Sequence, residues 1–160
     1  MKSSIQTIIE NFPKCCDAKS NKVAKENGKR FEIQCAKNYY LKIRVDGCLI
    51  PNTDRTKCDY LFIRNYPSKT NKMETEKETE FYFVELKGKN IDEAFEQIEN
   101  TIKHIKTQIP FLTKEKILGF IVSSKVPKGG TDTTKLRQKF AKKYGRNLHI
   151  QNKEFKYMPQ

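Results

Sequence analysis

The run Phe81-Tyr82-Phe83-Val84-Glu85-Leu86-Lys87-Gly88-Lys89 constrains this chain more than any other stretch. In an extended strand successive side chains point to opposite faces. Phe81, Phe83, Glu85 and Lys87 therefore fall on one face, and Tyr82, Val84 and Leu86 on the other. A strand that is apolar on both faces belongs inside a layered fold, covered above and below. Glu85 and Lys87 then stand at a buried strand end, where an acid and an amine are costly without a partner or a metal ion. The rest of the chain has to supply one.

Taken in order, residues 3 to 12 predict a short amphipathic helix, with Ile5, Ile8, Ile9 and Phe12 at helical spacing and Pro13 closing it. Residues 22 to 27 fit one or two further helical turns before Asn27-Gly28, and Phe31 to Ala36 fits a strand or a helix end equally well. Tyr39 to Val45 alternates as a half-buried strand and stops at the turn dipeptide Asp46-Gly47. Cys48 to Pro51 reads as the start of another strand. Lys57 to Arg64 is a strand apolar on both faces apart from Asp59. Residues 65 to 80 are polar and aperiodic, an exposed loop leading into the strand 81–87.

Ile91, Ala94, Phe95, Ile98, Ile102, Ile105 and Ile109 then mark an amphipathic helix, with Asn90 as N-cap and Pro110 as its end. Ile117 to Val122 is an apolar strand, 125 to 134 a loop, and 133 to 144 a basic helix closed by Gly145. Leu148 to Gln151 suits a last edge strand. This order predicts an α/β fold of one domain over residues 1–160, a central mixed β-sheet flanked by helices. The crossover from strand 81–87 through helix 91–109 to strand 117–123 makes a right-handed βαβ unit.

The 32 Lys and Arg against 19 Asp and Glu leave a formal charge of +13, which favours polyanionic partners, nucleic acid first among them. A lysine-rich composition shared by a whole proteome would give the same charge without any partner. No apolar run reaches the roughly 18 residues that a transmembrane helix needs, and the N-terminus is too short in apolar residues for a signal peptide. No membrane partner is expected, and the chain is expected in the cytoplasm. The five cysteines show no CxxC spacing and lie far in sequence from His104 and His149. Neither a zinc site nor a disulfide framework is expected of them, and they read as small buried hydrophobes.

If strands 57–64 and 81–87 pair, Asp59 comes beside Glu85 at the sheet end. Two carboxylates and a main-chain carbonyl such as that of Leu86 are hard oxygen ligands suited to Mg²⁺, which keeps several waters. Lys87 is placed to orient or deprotonate an attacking water. Cys58-Asp59 followed by Glu85-Leu86-Lys87 resembles the signature of the PD-(D/E)xK nuclease superfamily, the restriction-endonuclease-like fold with its αβββαβ core. The resemblance covers roughly residues 20 to 125, and Cys58 stands where that signature has its proline.

The resemblance implies that Asp59 and Glu85 bind Mg²⁺, with Mn²⁺ able to substitute, and that Lys87 handles the water. It also implies that Gln97 on the following helix assists, as a glutamine does in many members. A first-helix glutamate joins the metal in some members, and Glu10 and Glu26 are the candidates here, Glu26 preferred. Lys89, Lys125, Lys128 and Arg137 are candidates for gripping phosphates, contacts that position nucleic acid without reading it. The implied activity is Mg²⁺-dependent hydrolysis of DNA, by a homodimer where two cuts are made. An RNA-directed nuclease and a non-catalytic nucleic-acid-binding module on the same fold remain as alternatives. Each residue also has a plainer reading: a Glu85–Lys87 ion pair, Asp59 bonded to Arg55 or Lys57, Gln97 at a helix boundary, and 133–144 as a solvated face.

Overall fold

A computed structural model describes residues 4–17, 19, 21–34, 39–51, 57–64, 79–87, 90–124 and 131–159. Among them run helix α1 (Ser4–Asn11), strands β1 (Cys16–Asp17), β2 (Val23–Glu26), β3 (Lys29–Ile33), β4 (Tyr40–Arg44), β5 (Tyr60–Arg64) and β6 (Glu80–Lys87), and helix α2 (Ile91–Gln108). Strand β7 (Ile117–Ser123), helix α3 (Thr131–Lys143) and strands β8 (Asn147–Asn152) and β9 (Glu154–Tyr157) complete the order. The main sheet is mixed and open, in the order β1-β4-β5-β6-β7-β8. Its first half, from β1 to β6, is antiparallel, and β6, β7 and β8 run parallel. The parallel β6–β7 pair is joined through α2, as the periodicity of 91–109 predicts. No helix among the described residues is long and apolar enough to cross a membrane.

The two apolar faces of the central strands meet two different layers. On one side, Ile5 and Ile8 of α1, Ala94, Phe95, Ile98 and Ile102 of α2, and Phe140 of α3 pack against Leu41, Ile43, Leu61, Ile63, Phe81 and Phe83. On the other, a three-stranded sheet β2-β3-β9 lays Ala24, Phe31, Ile33 and Phe155 on Tyr40, Phe62, Tyr82, Val84 and Phe120. Phe31 stands at the centre of that layer, its ring 4.7 Å from Phe120 and 5.6 Å from Phe62. Helices on one face and a small sheet on the other make three layers, so β6 is buried on both sides. At the start of β6, Glu80 is held by Arg64 at 2.7 Å and Arg146 at 2.8 Å.

Three local expectations are corrected. Residues 23–26 are strand β2, because Asn27 and Gly28 both take positive φ (50° and 78°) and close a tight hairpin onto β3. Residues 48–50 form no strand but fold back after β4, with the Leu49 N–H donating to Arg44 O and the Ile50 N–H to Val45 O. Cys15 and Cys48 form a disulfide, with their Cα atoms 5.6 Å apart. The Arg44 N–H donates to Cys15 O, which draws the segment after α1 against β4 and its turn and so brings together cysteines 33 positions apart. Strand β9 went unforeseen; it pairs parallel with β3. The expected loop 65–80 falls largely outside the described residues, as does 125–130 of the expected loop 125–134, whose last four positions instead belong to α3.

Candidate active site

Asp59 lies one residue before β5. Its carbonyl accepts the Val45 N–H at 2.9 Å, which ties it to the end of β4. The β5–β6 register ends at Tyr60 opposite Val84, so the next step sets Asp59 opposite Glu85. The two residues clasp each other across the strand end. The Asp59 N–H donates to Glu85 Oε1 at 3.1 Å, and the Leu86 N–H donates to Asp59 Oδ2 at 2.8 Å. The Glu85 carboxyl also lies close enough to that of Asp59 to act on its acidity. Glu85 is 2% exposed and Asp59 half-buried.

This crowding shows in the acidity of Asp59. Burial, which penalises its charged form, pushes the pKa from an ordinary 3.8 up to about 6, and the negative charges of Glu26 and Asp46 add to the rise. The hydrogen bonds from Leu86 and with Glu85 hold it back from going higher. Glu80, clamped by two guanidiniums at the far end of β6, is the contrasting case of an acid with its charge answered.

Helix α2 sets the approach to this pair. Its N-cap Asn90 accepts the Glu93 N–H at 3.0 Å, and Asp92 and Glu93 complement the positive end of the helix. One helical turn further on, Gln97 Nε2 donates to Lys57 O at 3.4 Å. The Thr101 hydroxyl donates to Gln97 O at 2.7 Å and accepts the buried Cys58 N–H at 2.8 Å. Gln97 and Thr101 thus fix the backbone of residues 57 and 58, immediately before Asp59. Cys58, fully buried, has its thiol pushed up by burial first and by the Glu85 charge second, so it is no nucleophile.

The structure brings Asp59, Glu85, Leu86 and Gln97 to one strand end. Lys87 continues β6 two residues past Glu85, its backbone opposite Ser123, and its side chain lies outside the described residues. Glu26 is not on a helix; it ends strand β2, exposed, and acts on Asp59 through space. Glu10 stays on α1, accepting from Gln6 Nε2 at 3.5 Å. Arg137 is exposed on α3, where its charge helps depress the His149 pKa, an effect led by burial. Lys89, Lys125 and Lys128 lie outside the described residues. Sequence reasoning missed Thr101, whose polar side chain in the apolar stripe of α2 was the available signal, and the field of Asp46.

Among the described residues no three His, Cys, Asp or Glu side chains are placed to hold a metal ion together. Asp59 and Glu85 nevertheless fit a cation that needs only one or two carboxylates and keeps its waters, as Mg²⁺ does. Each has one oxygen fixed by a backbone N–H, which leaves the other oxygen of each carboxyl able to face a cation. No family model, no curated protein and no solved structure matches the chain.

Proposed function

We propose that the chain is a metal-dependent nuclease, hydrolysing phosphodiester bonds of DNA at the Asp59–Glu85 strand end. The observation that carries the reading is the carboxyl pair, clasped through the Asp59 and Leu86 N–H groups at the end of two buried strands. Nothing in the packing of the core asks for two acids there, and charge repulsion makes the pair costly at neutral pH. In this reading Asp59 and Glu85, with the Leu86 carbonyl, hold Mg²⁺ or Mn²⁺. The cation would polarise a phosphate oxygen and lower the pKa of a nearby water. Lys87 would orient or deprotonate that water, and Gln97 keeps Asp59 in position through the backbone of Lys57. The order of helix, strands, helix and strand around the pair agrees with the PD-(D/E)xK resemblance, and a homodimer would carry two such sites.

The test is cleavage. The protein is incubated with plasmid, linear duplex, single-stranded DNA and RNA in Mg²⁺, Mn²⁺ or EDTA. Cleavage of DNA is expected with either metal and not with EDTA, and Glu85→Gln or Lys87→Ala should slow it by about 10² or more. A second reading, a nucleic-acid-binding module that keeps the fold, is favoured by the presence of only a pair of metal-capable side chains among the described residues. Salt-sensitive binding of DNA without cleavage in any metal would select it.

A further inference from the structure

A second polar feature lies at the same strand end, on the small-sheet side. A cleft of about 210 Å³ is lined by Lys14, Asp17, Lys42, Arg44 and Tyr60, with the Cys15–Cys48 disulfide at its wall. It holds three cations and one acid. The acid is already engaged, Asp17 accepting the Lys19 N–H at 3.0 Å and Asn21 Nδ2 at 3.1 Å. Lys42 is half-buried and fixed, its Nζ donating to Val23 O at 2.7 Å and lying 4.8 Å from the Tyr60 ring centroid. Among the described residues Lys14 and Arg44 have no ion-pair partner. A concave surface with surplus positive charge, a pre-positioned ammonium and a phenol hydroxyl is built to take an anion with several acceptor oxygens.

The position of the cleft identifies that anion. Arg44 is opposite Tyr60 in the β4–β5 register, and Tyr60 directly follows Asp59. The Tyr60 phenol feels the charges of Glu26, Arg44 and Asp59 together, so the mouth of the cleft and the acid pair share one end of the sheet. Tyr60 packs against the small-sheet layer, whereas Glu85 follows Phe81 and Phe83 onto the helix side by the alternation of β6. A chain of phosphates running over the sheet end therefore meets both Glu85 and the cleft. Successive charges along a DNA strand are about 3.4 Å apart on the helix axis, fine enough spacing to serve both.

We infer that Lys14, Lys42, Arg44 and Tyr60 form a phosphate-binding cleft that seats the backbone of the nucleic acid beside the bond at Asp59 and Glu85. This rests on the nuclease reading for the identity of the ligand and not for the existence of the cleft. It also offers an incoming polyanion positive charge at the same end of the sheet as the two acids that repel it.

The experiment measures binding of a short DNA duplex in EDTA by fluorescence anisotropy from 50 to 200 mM salt, roughly the range over which phosphate contacts reveal themselves. Arg44→Ala and Lys14→Ala, both at exposed positions, should each weaken binding and lower the log–log salt slope by about 0.9, independent of sequence. Arg44→Lys should keep the slope, which separates charge from packing, and unchanged thermal midpoints show that the variants fold. In parallel, inorganic phosphate is titrated against chloride at equal ionic strength, following the Arg44 Nε–H and Tyr60 amide resonances. Duplex binding with unaltered slopes in both alanine variants overturns the cleft and leaves the nuclease reading standing. No duplex binding, with phosphate-induced shifts that Arg44→Ala abolishes, overturns the nucleic-acid reading and leaves an anion site for a smaller phosphate. Neither duplex binding nor phosphate shifts overturns both.

Discussion

Asp59 is an acid whose chemistry is set by the fold around it. Its carboxyl is harder to ionise in the folded chain than in the unfolded one, with a pKa of about 6 against 3.8, chiefly through burial. Between those values the folded state binds more protons than the unfolded state, so stability falls as pH rises. The contribution is fully favourable below about pH 4, is lost through pH 6, and amounts to roughly 3 kcal/mol when converted at 1.4 kcal/mol per pH unit. Asp59→Asn should therefore stabilise the metal-free protein at pH 7.5 by about 1–3 kcal/mol and leave it little changed at pH 4. Urea unfolding of wild type and variant in EDTA at the two pH values measures this, and a variant no more stable at pH 7.5 than at pH 4 relative to wild type would sink it. Saturating Mg²⁺ should restore stability to the wild type at pH 7.5 and do nothing for the variant.

At the scale of elements, α2 does more than cover the sheet. Its apolar stripe was readable from the spacing of its isoleucines, but Thr101 sits in that stripe because the Cys58 N–H, buried just before β5, has to be satisfied there. Thr101→Val keeps the shape and removes the acceptor, so it should cost about 1–3 kcal/mol. Thr101→Ser should recover most of that loss, and chemical denaturation of the two variants distinguishes hydrogen bonding from packing. The β2–β3 hairpin shows the reverse case. Val23 to Glu26 has no clear period, so its strand state came from the adjoining Asn27-Gly28 turn and from the aromatic surface that β3 covers, the second of which is not local to residues 22–27.

At the scale of the whole molecule, the disulfide joins the end of the first helical segment to the turn after β4, closing a span of 33 positions. By the loop-entropy model such a link contributes about 3–4 kcal/mol, chiefly by restricting the unfolded chain. Cys48→Ser should lower stability by about that amount in oxidising buffer and make no difference once the wild type is reduced, a comparison that thermal melts with and without reductant provide. The sequence by itself determined the central strands, the helix between β6 and β7, the mixed sheet that they imply, and the candidate acids Asp59 and Glu85. Those follow from periodicity and from the cost of burying charge, which are local properties. Only the tertiary structure decided what covers the second face of β6, because the small sheet joins β9 to β3 from opposite ends of the chain. It alone decided the Cys15–Cys48 link and the strand position of Glu26. It also brought Asp59 and Glu85 together at the end of the sheet where Arg44 and Tyr60 line a basic cleft. Proximity between residues far apart in sequence depends on strand order and register, and no single stretch of residues encodes either.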